Sequence, residues 1–140
     1  MVSLGACNRG GGSEAQGAVS SSENGLTFRV AFDEPLRTGH AITWRLEVEN
    51  RGHETVALRF SSGKDGDVAL RQGNQEVYRW SAGRLFSQAL REVPLGPAAT
   101  HTFRLEDPGI TLPAGSYDLV GELASDPTIP PVRRSVKIEH

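Results

Sequence analysis

The stretch Ser62-Gly63-Lys64-Asp65-Gly66-Asp67 is where residue types and spacing come nearest to a chemical site. Its Gly-Lys pair resembles the end of a phosphate-binding loop, in which backbone amides cradle phosphates and a hydroxyl after the lysine holds magnesium. That loop also needs glycine five residues before Gly63, where Leu58 stands, and Ser or Thr after the lysine, where Asp65 stands. Asp65-Gly66-Asp67 opens like a calcium loop, but the next ligand position holds Ala69 and the glycine is misplaced. Around Ser81 the chain reads Arg79-Trp80-Ser81-Ala82-Gly83, without the leading glycine of a nucleophile elbow. His40, His53, His101 and His140 are scattered singly and read as solvated surface residues. No Cys/His set has zinc spacing, and no paired carboxylates or Ser/His/Asp arrangement can be assembled. The sequence therefore supports no catalytic residue, no metal ligand and no cofactor, and the chain reads as a non-enzyme.

The elements that would position a binding surface are strands. From Leu26 onward the apolar period is two: Leu26, Phe28, Val30 and Phe32, then Ile42, Trp44, Leu46 and Val48, alternate with more polar neighbours. Such alternation marks half-buried strands. Val56, Leu58 and Phe60 continue the pattern after Asn50-Arg51-Gly52-His53, a connector of hairpin length. Val68 and Leu70 form a shorter strand, and Gly73-Asn74 turns it into Val77 to Trp80 as a second hairpin. Further strands are expected over 100–106, 116–124 and 132–139, while 84–92 suits either a short helical turn or an edge strand. Pro94, Pro97, Pro108, Pro113, Pro127, Pro130 and Pro131 all fall between these strands, as a residue without an N–H should. The expectation is an all-β, immunoglobulin-like antiparallel β-sandwich of about 7–9 strands. It occupies 26–140.

Composition allows a normal core, with 37% hydrophobic residues in 140. Fifteen Lys and Arg against 17 Asp and Glu give a net charge of -2, which offers no electrostatic footprint for nucleic acid or anionic lipid. Residues 1–25 hold six glycines, five serines and no aromatic residue, and read as a flexible tail. Within it Leu4-Gly5-Ala6-Cys7 resembles the lipobox of bacterial lipoproteins, which would make Cys7 the lipid-attachment residue and the membrane tether. Six residues precede Cys7, with neither a positive segment nor an apolar one, so the lipobox reading implies a shortened start. It places the domain at the bacterial cell envelope; without it the chain is expected in the cytoplasm.

Between Phe60 and Leu90 the chain reads FSSGKDGDVALRQGNQEVYRWSAGRLFSQAL. This resembles the BsuPI-type intracellular proteinase inhibitor family: an Asn-ended strand, then Phe-x-Ser-Gly with an acidic residue beyond, a strand ending Val-Trp-x-Trp-Ser, and Phe-x-Gln-Ala. The matching positions are Asn50, Phe60, Ser62, Gly63, Asp67, Val77, Trp80, Ser81, Phe86, Gln88 and Ala89, with Tyr78 where the family often has tryptophan. The resemblance implies a compact all-β domain that inhibits a serine proteinase.

Large aromatics beside a strand end usually bury area, so Trp80 and Phe86 are expected to pack inward. Ser62, Gly63, Ser81 and Gly83 suit tight turns, and Asp67 and Gln88 are expected to satisfy buried backbone groups. An inhibitor would present an exposed loop held by the sandwich. Three loops qualify: 61–66, with Ser61, Lys64 and Asp65; 81–85, with Ala82 and Arg84; and 125–131, with Thr128 and Ile129, stiffened by prolines. For the first, Lys64→Glu is expected to weaken inhibition without loss of stability. The alternative is a non-catalytic module that binds another envelope protein.

Overall fold

A computed structural model describes residues 19–23 and 25–140, and among them every regular element is a strand. Cys7 lies outside the described residues. In chain order the strands are β1 (Val19–Glu23), β2 (Leu26–Ala31), β3 (Leu36–Arg37), β4 (Ile42–Asn50), β5 (Val56–Phe60) and β6 (Gly66–Gln72). They continue with β7 (Gln75–Arg79), β8 (Arg91–Leu95), β9 (Thr100–Asp107), β10 (Gly115–Leu123), β11 (Ser125–Asp126) and β12 (Val132–Glu139). Three hydrogen-bonded sheets result, in the orders β1-β2-β4-β9, β3-β12-β10-β6-β7 and β11-β5-β8. The architecture is an all-β sandwich. Pairing is antiparallel throughout except for β3 beside β12.

Alternation does what it dictates. Along β4, Ile42, Trp44, Leu46 and Val48 are buried, and they meet Leu26, Phe28 and Val30 of β2 with Phe103 and Leu105 of β9 in one core. At its centre Trp44 is fully buried, with the Phe32 ring edge-on at 5.4 Å. Between the two larger sheets two glycines leave no room for a side chain: a Cβ on Gly121 would collide with Val30 Cγ2, and one on Gly66 would lie 2.5 Å from Leu46 Cδ1.

Several expectations are corrected. Residues 50–53 do not close a hairpin, because β4 pairs with β2 and β9 while β5 pairs with β8 and β11. The cause is Asn50, which is 1% exposed and donates from Nδ2 to the carbonyls of Glu54 (2.7 Å) and Leu95 (2.9 Å). Its Oδ1 accepts from Gly52 N, so the side chain ties the end of β4 to 52–54 and to the end of β8 and steers the chain into the third sheet. Pro94 lies within β8, not between strands, and is tolerated because β8 is a sheet edge. The 84–92 stretch is not helical: it runs irregularly to Leu90 and enters β8 at Arg91. Val19–Glu23, inside the stretch read as tail, pairs as β1 along β2. Three strands absent from the sequence reading, β1, β3 and β11, are short, and β8 begins at the end of the stretch offered as an edge strand. By contrast β6 and β7 form the expected hairpin, with Gln72 opposite Gln75 and Gly73 at φ +63 as a two-residue turn of this kind needs.

Candidate functional site

Two motif residues, Asp67 and Ser81, form a buried cluster with Lys64 and Arg79 from outside the motif. Asp67, the second residue of β6, is 1% exposed and collects five donors. Its Oδ1 accepts from the backbone N–H of Val68 (3.0 Å) and of Ser81 (3.1 Å). Its Oδ2 accepts from the Ser81 hydroxyl (2.6 Å), from Arg79 Nη1 (2.9 Å) and from Lys64 Nζ (3.1 Å). Burial by itself pushes the carboxyl pKa up, but the bonds from Ser81, Arg79 and Lys64 outweigh it and hold the group below its ordinary value. Asp67 thus joins the loop before β6, the end of β7 and the turn after it, which is the buried-backbone role expected of it. Gln88, assigned the same role by the sequence reading, instead stands exposed on 84–90.

A second clamp lies beside it. Gly63 N donates to the Ser87 carbonyl at 2.9 Å, and a Cβ on Gly63 would lie 2.8 Å from the Ser87 hydroxyl, so the backbones of the two loops meet closely there and a larger residue would have to displace that hydroxyl. Ser62 Oγ accepts from Lys64 N, and the Ser62 carbonyl accepts from Arg91 Nε. Arg91 also pairs with Asp65 at 2.8 Å and sits 4.7 Å over the ring of buried Phe60. The 61–65 loop is therefore sewn down. Ser61 remains exposed, while Lys64 and Asp65 are half-buried and paired with Asp67 and Arg91. For the same reason Lys64→Glu is not neutral to stability. It sets a carboxylate against Asp67, and an unfolding free energy lower by about 1 kcal/mol is expected given that Lys64 is partly solvated; a thermal midpoint equal to wild type in a melting scan would refute this.

The 81–90 stretch is held from its own side. The Ala82 N–H donates to Arg79 O and the Arg84 N–H to Ser81 O, with Gly83 at φ +78 between them. Trp80 packs against the core and donates from Nε1 to the Glu106 carbonyl at 2.9 Å. The Arg84 guanidinium lies 4.4 Å over the Trp80 ring, donates to the carbonyls of Trp80 (2.7 Å) and Glu106 (3.1 Å), and stands 3.7 Å from Asp107. Phe86 rests on the other aromatic, its ring 5.8 Å from that of Trp80. Between these anchors Leu85 is 98% exposed, and Leu90 beyond them is 82% exposed. They are the large hydrophobic residues left in solvent among those described.

The third candidate loop fares differently. Thr128 is exposed, but Ile129 is 2% exposed and belongs to the core, so it is not a contact residue. Of the histidines, His101 is half-buried and packs its ring 4.5 Å from that of Phe103, which corrects its reading as a solvated residue. Among the described residues no group of three or more His, Cys, Asp or Glu could hold a metal ion.

Sequence reasoning missed Arg79, Arg91 and Asp107 as members of the site, because nothing local distinguishes a surface arginine from one aimed at a partner strands away. Tyr78 carried a signal in standing where the resembled family often has tryptophan. Its hydroxyl accepts from Trp44 Nε1 (3.3 Å) and donates to Asp107 Oδ2 (2.8 Å). Burial, countered by the Trp44 bond and reinforced by the Asp107 carboxylate, raises the phenol pKa far above its usual range, so it stays a donor.

The fold is an all-β sandwich, and among the described residues its 81–90 stretch carries both exposed large hydrophobics, Leu85 and Leu90. Residues 28–128 match the BsuPI family, described as intracellular proteinase inhibitor, and the chain belongs to that family. No curated protein matches it. Solved structures resembling it include a β-glucosidase from Listeria innocua (10% identity, TM-score 0.46), with 82% of this chain aligned to 16% of that one. Another is an alkylpurine DNA glycosylase from Pseudomonas fluorescens (10% identity, TM-score 0.48), with 85% of this chain aligned to 32% of that one. This chain therefore spans a third or less of the length of either.

Proposed function

We propose that this domain inhibits a serine proteinase by holding the 81–90 loop in the enzyme's substrate cleft. Family membership implies proteinase inhibition, and the observation that selects the loop is Leu85, 98% exposed yet flanked by Arg84 and Phe86, both docked on Trp80. A segment braced in this way loses little conformational freedom on binding, which favours affinity, and it resists the local unfolding that proteolysis requires. The 61–65 loop serves as its support through Gly63 and Ser87. Titrating serine proteinases with the full chain, with a gel alongside, tests this reading. Stoichiometric loss of proteinase activity with the chain intact is expected, whereas steady cleavage of the chain overturns it.

The sequence Leu4-Gly5-Ala6-Cys7 supports a second reading, a non-catalytic protein-binding module of the bacterial envelope tethered through lipidated Cys7. The mass of the Cys7 peptide of the protein isolated from its native cells separates the two, since diacylglycerol and an acyl chain add a large apolar increment that an intracellular inhibitor lacks.

A further inference from the structure

We propose that Leu85 fills the primary specificity pocket of the target, which makes that target a serine proteinase with an apolar pocket; this rests on the inhibitor reading above. Primary pockets divide by chemistry: those with a carboxylate at the base take Arg or Lys, and apolar slots take large hydrophobic side chains. The cations around the loop are all committed elsewhere. Arg84, next to Leu85, is stacked on Trp80 and bound to two carbonyls, so entering an acidic pocket would break each of those contacts. Lys64 and Arg79 are paired with buried Asp67, and Arg91 with Asp65. Leu85, by contrast, has nothing to give up. Its neighbours fix its backbone: the Arg84 N–H donates to Ser81 O, the Phe86 ring packs on Trp80, and the Ser87 carbonyl accepts from Gly63. Single exposed leucines are ordinary on protein surfaces, but here the two large exposed hydrophobics fall on one short irregular stretch. Leu90 borders a cleft of about 480 Å³ lined by Phe60, Ser61 and Arg91, which suits a secondary contact.

The test measures inhibition constants of the full chain and of Leu85→Asp, Leu85→Lys and Leu90→Asp against subtilisin, chymotrypsin and trypsin, with thermal midpoints for each. Wild type is expected to inhibit subtilisin or chymotrypsin and to spare trypsin. Leu85→Asp should weaken that inhibition by about 100-fold or more, as loss of a central anchor does, and Leu90→Asp by less than about 10-fold. Midpoints should stay within about 3 °C, because both side chains are in water. Leu85→Lys should gain inhibition of trypsin. The Leu85 assignment is overturned if Leu85→Asp inhibits as wild type does, if Leu90→Asp is the more damaging change, or if wild type prefers trypsin; in each case the inhibitor reading survives. Absence of wild-type inhibition of all three enzymes removes both.

Discussion

Asp67→Ala is expected to lower the unfolding free energy by about 3 kcal/mol, among the largest losses available to a single polar side chain here. The cost lies in what is left behind. The N–H groups of Val68 and Ser81 lose their acceptor inside the protein, and each orphaned buried donor costs about 1–3 kcal/mol. Lys64 and Arg79 also lose a partner, but their side chains are 32% and 37% exposed and can turn to water, so their share is small. Asp67→Asn should fall between, since its amide oxygen can keep the two backbone bonds while its nitrogen faces donors. Urea denaturation measures the series, and a loss below about 1 kcal/mol for the alanine variant would refute the assignment of Asp67 as the hub of these loops.

The same group makes a pH prediction with a definite sign. The folded pKa lies below the ordinary 3.8, so the charged form is favoured by folding. Its contribution is complete above the unfolded value and disappears as pH falls below 3.8 toward the folded one. The stability gap between wild type and Asp67→Ala should therefore be constant at neutral pH and narrow on acidification through that window. A gap that widens with acid would contradict the sign.

Phe60→Ala carries the second large expected effect, a loss of about 3–5 kcal/mol as for other buried phenylalanines. Phe60 is 2% exposed, packs edge-on to Phe103 at 5.4 Å and supports Arg91 from below. Truncation opens a cavity and also unseats the arginine that holds Ser62 and Asp65. Phe86, the other phenylalanine of the shared motif, is half-buried and touches Trp80 at the surface, so Phe86→Ala should cost about 1 kcal/mol. Its effect should fall on inhibition instead, because the loop loses the brace beside Leu85. Denaturation midpoints and inhibition constants for the pair distinguish motif residues that build the fold from those that shape the binding surface. Equal stability losses for the two would show that Phe86 is a core residue after all.

The motif itself explains why it was legible. Phe60, Ser62, Gly63, Asp67, Trp80 and Ser81 recur in order along a short stretch because two loops and a hairpin must lock together there, so their spacing is a local record of a local assembly. The β6–β7 turn is readable for the same reason. The alternation of β2, β4 and β9 likewise announced its buried face, since a strand's two faces differ at every second residue.

What the sequence by itself determined was therefore the strand class, the inward residues and the family. The tertiary structure alone decided which strands pair, that residues 50–53 cross between sheets, that Ile129 is core and Lys64 a brace, and that Leu85 stands free beside a committed Arg84. The physical reason is range. Burial of a strand face is written in neighbours two residues apart, whereas Asn50 meets Leu95 across 45 residues and Arg84 meets Glu106 across 22, and no local pattern specifies such partners.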